Sequence, residues 1–92
     1  MRFTWHEPKR RANIRKHGID FVDATEIFAD ATVEQQDDRE EYGEVRIVAI
    51  GKLRGVLVTV IYADRDEDER RIISAWESTP YEKRTYYREI LS

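Results

Sequence analysis

The 92-residue sequence contains basic, phenolic and carboxylate side chains that suit one reaction in particular, the cleavage of RNA. RNA carries its own nucleophile, because the 2′-hydroxyl lies next to the scissile phosphate. A protein that orients this hydroxyl, stabilises the charge of the phosphorane with arginine or lysine and moves two protons needs no metal ion. The candidate residues for this chemistry are Lys9, His17, Arg46, Arg71, Glu82 and Tyr86.

The signatures of several other enzyme classes are absent from the sequence. It contains no glycine-rich phosphate loop, no G-x-S-x-G elbow and no paired-histidine metal motif. It has no cysteine, which excludes a disulfide scaffold, a thiol nucleophile and a thiolate zinc site. His6 and His17 lie eleven residues apart at the two ends of a predicted helix, a poor spacing for one metal ion. We therefore expect neither a metal site nor a cofactor.

Two arginines on predicted strands are the candidates for phosphate binding, because the planar guanidinium fork matches phosphate oxygens. Strand alternation places Arg46 on the same face as Val48 and Ile50. Phosphate binding and a salt bridge with an acidic side chain of a helix would explain this arginine equally well. Arg70 and Arg71 face opposite sides of one strand, so only one of them can enter a common site.

Each of the remaining candidates also has a structural explanation. His17 changes charge near neutral pH, but a histidine in the last turn of a helix is also stabilised by the helix dipole. Glu82 belongs to a predicted capping box, and Tyr86, one turn later, is a proton donor or a core residue. Lys9 and Asn13 share a helical face that reaches either phosphate or solvent. The expected RNA contacts are Asn13, Lys16, Arg54 and Trp76.

The net charge of −3 is unusual for a protein that handles nucleic acid, but the charge is segregated along the chain. Residues 1–17 carry six Lys or Arg against Glu7, whereas residues 18–44 carry ten acidic side chains against Arg39. Such segregation steers a polyanion towards one side of a protein, although an ordinary solvated surface is the alternative. The acidic stretch 34–44 is a solvated loop or a docking surface for a basic segment of a partner.

Length and composition predict a single α+β domain, residues 1–92. Strands are expected at 3–5, 31–33 (an edge strand), 45–50, 56–62 and 70–76. Helices are expected from Pro8 to His17, ended by Gly18, from the cap Asp20 to Phe28, and from Pro80 to about Ile90 after the cap Thr79. We expect an antiparallel sheet of about four strands, covered by two N-terminal helices and one C-terminal helix.

The sequence resembles the BrnT toxin family in three segments. Residues 5–21 are similar to the family opening W-D-x-x-K-x-x-x-N-x-x-K-H-G-x-x-F, and residues 43–51 to the segment G-E-x-R-x-x-x-I-G. Residues 71–86 are similar to R-I-I-S-A followed by E-x-x-x-Y. The segments follow one another in the family order. Two positions depart from the pattern: His6 replaces an aspartate, and residues 76–77, Trp and Glu, stand where many members carry a basic pair.

The resemblance implies a RelE-like fold and a metal-independent endoribonuclease that cleaves RNA through the 2′-hydroxyl and inhibits translation. It also implies a BrnA-type antitoxin that neutralises the toxin, with operator DNA contacted only through the complex of the two. A homodimer and a heterotetramer are both open as assemblies. We expect a cytoplasmic protein, because the sequence shows neither a signal peptide nor an apolar run long enough for a membrane.

The departure at Trp76 and Glu77 leaves a second function open. The chain would then be a catalytically weak or inactive module that binds the antitoxin and acts in transcriptional autorepression. Trp76 itself offers a base-stacking surface or packs in the core. A third interpretation is a plain structural subunit, in which Arg46 and Arg71 form ion pairs within the chain.

Overall fold

The computed structural model describes all 92 residues and shows one five-stranded sheet with helices on both faces. The strands are β1 (Arg2–Trp5), β2 (Val33–Asp37), β3 (Arg46–Leu53), β4 (Val56–Asp66) and β5 (Glu69–Glu77). The helices are α1 (Glu7–His17), α2 (Phe21–Ala24), a 3₁₀ turn (Thr25–Ala29) and α3 (Pro80–Leu91). None of these helices has the length and apolar character needed to cross a membrane.

The strand order in the sheet is β1-β5-β4-β3-β2. The four strands β2 to β5 are antiparallel neighbours, as predicted. The expected all-antiparallel sheet of about four strands is wrong at β1, which adds a fifth strand parallel to β5. Short connections fix the direction of β2 to β5, whereas β1 reaches its neighbour only through pairing distant in sequence. Its direction therefore cannot be deduced from local turn signals.

The predicted end of α1 and the predicted caps of α2 and α3 are confirmed, whereas the second helix, expected to run to Phe28, is α-helical only to Ala24 and continues as the 3₁₀ turn. Gly18 ends α1 in the left-handed region with φ 73°, and its N–H donates to the Ile14 carbonyl. Asp20 caps α2 by accepting a hydrogen bond from the Val22 N–H. α3 begins with the predicted capping box, in which Thr79 and Glu82 exchange side-chain and backbone hydrogen bonds.

The predicted edge strand exists, but it lies further along the chain than expected. β2 begins at Val33 and continues through polar residues to Asp37, into the stretch expected to be a solvated loop. Its backbone pairs with β3 while most of its polar side chains face solvent. An edge strand tolerates such side chains because only one of its sides is bonded to the sheet.

The two faces of the sheet differ in how they are covered. The first face, here called the α1 face, carries the main core under α2 and the 3₁₀ turn, while α1 lies against β5. Its buried residues are Phe21, Ala24, Ile27, Ala49, Val58, Val60, Tyr62, Ile72 and Ala75. A Cβ at Gly51 would lie 2.9 Å from the Ile27 Cβ, so the 3₁₀ turn packs directly on the backbone of β3.

The second face, here called the α3 face, is covered mainly over β2 and β3, the strands that α3 contacts. Two smaller apolar clusters lie there. Their buried residues are Ile50, Leu57 and Tyr86 in one cluster and Ile61, Ala63 and Ile73 in the other. Beyond α3 this face carries the polar side chains that form the candidate site.

Candidate functional site

Arg46 and Arg71 lie on either side of a small residue on the α3 face. Ala63 of β4 pairs with Arg71 of β5, and the neighbouring pair Ile47 and Tyr62 places Arg46 on the opposite side of Ala63. The side chains of the two arginines are 23% and 30% exposed. The alanine between them leaves space above the sheet, so both guanidinium groups can reach one ligand.

One carboxylate holds the two arginines together. Glu44 Oε2 lies 3.3 Å from Arg46 Nε and 2.5 Å from Arg71 Nη2. The Arg46 guanidinium also stacks on Tyr42, 4.1 Å from the ring centroid, a favourable cation–π geometry. Arg71 Nε is buried and has no hydrogen-bond partner. A buried donor of a charged group is rarely left unbonded. The Arg71 Nε is therefore a donor that a bound ligand can use.

A second polar cluster surrounds Glu82. Glu82 Oε1 accepts hydrogen bonds from the Thr79 N–H at 2.8 Å, and from Thr59 Oγ1 and Trp76 Nε1 at 3.0 Å each. Thr59 and Ser78 are buried, and their hydroxyl oxygens lie 2.8 Å apart. Glu82 Oε2 accepts no hydrogen bond. The capping box accounts for one of these three bonds, so Glu82 also fixes the side chains of Thr59 and Trp76.

Trp76 connects this cluster with α1. Its ring centroid lies 6.0 Å from that of His17, the last residue of α1. Arg71 and Trp76 are five residues apart on β5, roughly 16 Å at the rise of a strand. The structure therefore divides the sequence-predicted candidates into two groups: the arginine pair, and the group of His17, Trp76 and Glu82.

The loop before β3 closes the site on the arginine side. Asp37 is buried, accepts hydrogen bonds from Arg39 at 2.7 and 2.9 Å, and accepts a further one from the Tyr42 hydroxyl at 3.3 Å. The hydrogen bond from Arg39 holds the pKa of Asp37 below its usual value, although burial opposes the shift. This network anchors the loop that carries Tyr42 and Glu44.

Asn13, a predicted RNA contact, is buried in the fold. Its Nδ2 donates to the carbonyls of Ala75 at 2.8 Å and of Ile19 at 2.9 Å, and its Oδ1 accepts from the Ala75 N–H at 3.2 Å. The β1 strand ends at Trp5, opposite Ile72, so Asn13 bonds the stretch of β5 that has no strand on its β1 side. We assign Asn13 a structural role.

The other predicted site residues lie outside the two groups. Tyr86 is buried with Ile50 and Leu57. Arg54 lies in the β3–β4 turn, at the opposite end of β3 from Arg46, and its hydrogen bond to Glu26 raises its pKa. The side chains of Lys9 and Lys16 on α1 form no hydrogen bond or ion pair and are exposed to solvent.

Sequence reasoning missed Glu44, Tyr42 and Thr59 as members of the site. Glu44 stands two residues before Arg46, and strand alternation would place the two side chains on one face. That spacing was the available signal for Glu44. The contacts of Tyr42 and Thr59 depend on the folded loop and on α3, and no local pattern indicates them.

The comparisons with known proteins agree with this architecture. A family model described as "Ribonuclease toxin, BrnT, of type II toxin-antitoxin system" matches residues 5–82. The chain belongs to the BrnT toxin family. The resemblance deduced from the sequence is thereby confirmed, and a BrnT toxin of a type II system has an antitoxin partner.

A solved BrnT structure is similar to the chain over most of its length. It is the 1.1 Å crystal structure of the Brucella abortus ribonuclease toxin BrnT. The two share 31% sequence identity with a TM-score of 0.71, and the similarity covers 86% of this chain and 97% of that one. A search of curated proteins gives no match. The α+β fold with three helices and a five-stranded mixed sheet is thus a BrnT fold.

Proposed function

We propose that this BrnT chain is an endoribonuclease that binds the scissile phosphate of RNA between Arg46 and Arg71. The observation that carries the proposal is the shared carboxylate: one oxygen of Glu44 contacts both arginines, at a place that a phosphate oxygen can occupy. A phosphate brings further oxygens, one of which can accept from the unused Arg71 Nε. Membership of a ribonuclease toxin family supports the assignment.

The arginine pair suits the transition state better than the ground state. Attack of the 2′-hydroxyl oxygen on phosphorus adds negative charge to the phosphoryl oxygens; the P–O5′ bond then breaks, which leaves a 2′,3′-cyclic phosphate, and the departing 5′ oxygen takes a proton from water. Two fixed guanidinium groups in a half-buried site stabilise that additional charge, which lowers the barrier. The reaction needs no metal ion, because the nucleophile belongs to the substrate and arginine supplies the positive charge.

Binding of RNA requires the displacement of Glu44. The incoming phosphate is also an anion, so neither guanidinium group is left buried without a counter-ion when the phosphate replaces the carboxylate. The displaced Glu44 stays next to the bound phosphate, because its loop is anchored through Tyr42 and Asp37. Because Glu44 is the carboxylate in contact with both arginines, we propose that it accepts the proton of the attacking 2′-hydroxyl.

The remaining properties that the resemblance implies extend this proposal. The antitoxin is of BrnA type and neutralises the toxin. The complex of the two proteins binds operator DNA. A homodimer of the toxin and a heterotetramer of toxin and antitoxin are both open as assemblies. Cleavage of RNA in the cytoplasm inhibits translation. The similarity to the RelE fold stays a prediction.

The experiment that tests the proposed function is cleavage of a short single-stranded RNA by the purified chain. We expect cleavage that is unaffected by a chelator and yields a 2′,3′-cyclic phosphate, and a 2′-deoxy substitution at the cleaved position should block it. Arg46→Ala and Arg71→Ala should each reduce the rate by about a hundredfold or more. Arg54→Ala, at the other end of β3, is the matched control and should leave the rate unchanged. Intact RNA at micromolar wild-type protein would contradict the proposal.

A second candidate function rests on the same ion pair. In the free chain Arg46 and Arg71 are already neutralised by Glu44, and Glu77 stands where a basic residue is common in the family. A module of this kind binds the antitoxin and represses transcription without cleaving RNA. Repression by a toxin–antitoxin complex whose toxin leaves every RNA intact would favour it over the ribonuclease.

A further inference from the structure

A cavity of about 250 Å³ opens on the α3 face between α3 and strands β2 and β3. Its apolar part is formed by six residues: Val33, Val48, Ile50, Ile61, Trp76 and Tyr81. One end is marked by Asp37, which pairs with Arg46 in the β2–β3 register. The other end is marked by Glu82. The cavity therefore runs from Asp37, the neighbour of Arg46 across the β2–β3 ladder, to the cluster around Trp76 and Glu82.

Trp76 gives the cavity a fixed aromatic wall. Its Nε1 donates to Glu82 Oε1, and His17 lies against its ring. The side chain is half-buried, so part of the ring is available to a ligand. Stacking of a base on such a ring contributes substantially to the binding of single-stranded nucleic acid. A ring held in place on two sides binds a base without losing side-chain entropy.

Glu82 supplies a hydrogen-bond acceptor at the Trp76 end of the cavity. Its Oε1 is saturated by three donors, whereas Oε2 accepts none. The two arginines that line the cavity already contact carboxylates, Arg39 at Asp37 and Arg88 at Glu89. Both arginines are thus engaged, whereas Glu82 Oε2 is a free acceptor next to Trp76 and suits a base edge that presents donors.

We propose that this cavity is a nucleobase subsite that selects guanine through stacking on Trp76 and hydrogen bonds to Glu82 Oε2. Guanine presents two adjacent donors, N1–H and the N2 amino group, to a single acceptor. Uracil presents one N–H between two carbonyl oxygens, and a carboxylate repels these oxygens. The inference rests on the proposed function, since it assigns this base to the RNA whose phosphate lies between Arg46 and Arg71.

The first measurement is a fluorescence titration with 5′-GMP and 5′-UMP. Trp5→Phe removes the other tryptophan, so Trp76 becomes the reporter. Both nucleotides carry the same phosphate, and the ratio of their dissociation constants therefore reports the base alone. We expect GMP to bind about tenfold more tightly than UMP, or better. A ratio near one, or no quenching of Trp76, would overturn the inference.

Arg46→Ala in the same background separates this inference from the proposed function. It should weaken the binding of GMP and of UMP by the same factor and leave the ratio of their dissociation constants unchanged. No effect of Arg46→Ala on either nucleotide would count against the phosphate site alone. Equal dissociation constants for GMP and UMP, with binding that is still weakened by Arg46→Ala, would count against the base site and not against the phosphate site.

Glu82→Gln provides the sharper variant, because glutamine also completes a capping box. Three donors hold the oxygen at the position of Oε1, so the amide nitrogen takes the position of Oε2 and replaces an acceptor with a donor. The preference for GMP over UMP should fall about tenfold or reverse. Glu77→Gln, an exposed carboxylate at the end of β5, removes the same charge and should leave the ratio unchanged. If Glu82→Gln weakened the binding of both nucleotides equally, the role of Glu82 would be purely structural.

Discussion

The state of the arginine pair depends on a single side chain, Glu44. In the free chain its carboxylate contacts both guanidinium groups, and Tyr42 stacks on one of them. The same carboxylate is therefore a competitor of the substrate phosphate before binding and a proton acceptor after it. These two roles affect different kinetic constants, because competition acts on binding and proton transfer acts on the chemical step.

Glu44→Gln separates the two roles. The neutral amide competes poorly for the arginines, so KM for a short RNA should fall several-fold. The amide cannot take the proton of the 2′-hydroxyl, so kcat should fall about 10²- to 10⁴-fold. Steady-state kinetics of oligonucleotide cleavage measure both constants. Glu41→Gln, an exposed acid of the same loop, is the control. An unchanged kcat would show that Glu44 is only a counter-ion of the two arginines and not the proton acceptor.

At the level of elements, α1 is attached to the sheet by a side chain rather than by an apolar stripe. Asn13 is the one buried residue of α1, and it bonds both backbone groups of Ala75. Asn13→Ala would leave a buried N–H and a buried C=O without partners, at a cost of about 2–4 kcal/mol. Urea denaturation should show this loss, while Arg11→Ala on the exposed side of α1 should change stability little. A loss below about 0.5 kcal/mol for Asn13→Ala would show that water replaces the amide.

The order of the elements and their caps were predictable because each depends on nearby residues. Gly18, Asp20 and Thr79 act on their own helices, and strand alternation placed Arg46 with Val48 and Ile50. The parallel pairing of β1 and the burial of Asn13 depend on segments about 60 residues apart in sequence. No pattern within one element indicates such contacts, which is why the site residues on α1 were the least predictable.

For the whole molecule, the distribution of charge matters more than the net value of −3. The acidic side chains before β3 do not form one solvated loop, since Asp37 and Glu44 pair with arginines at the site. Other acidic groups join the elements of the α1 side: Arg10 lies 2.8 Å from both Glu7 and Asp20. Ion pairs within the chain thus use part of the charge that composition alone would assign to the surface.

These pairs predict how the stability of the molecule depends on pH. The hydrogen bond from Arg10 lowers the pKa of Glu7 from 4.5 to about 2, and that of Asp37 is lowered by Arg39. A lowered folded-state pKa means that the contribution to stability is complete above the unfolded value and is lost as the pH falls through the folded value. The free energy of unfolding should therefore decrease from about pH 4.5 towards pH 2.

Glu7→Gln tests this dependence, because it removes the titrating group and keeps the side-chain volume. The variant should be less stable than the wild type at pH 7, and the difference should shrink steadily below about pH 4.5, as the carboxylate of the wild-type glutamate becomes protonated first in the unfolded and then in the folded chain. Urea denaturation at pH 7, 4.5 and 3 measures the three differences. Glu40→Gln removes an exposed acid that makes no ion pair and serves as the control. A difference between Glu7→Gln and the wild type that stays constant with pH would contradict the role of the Glu7–Arg10 pair in acid stability.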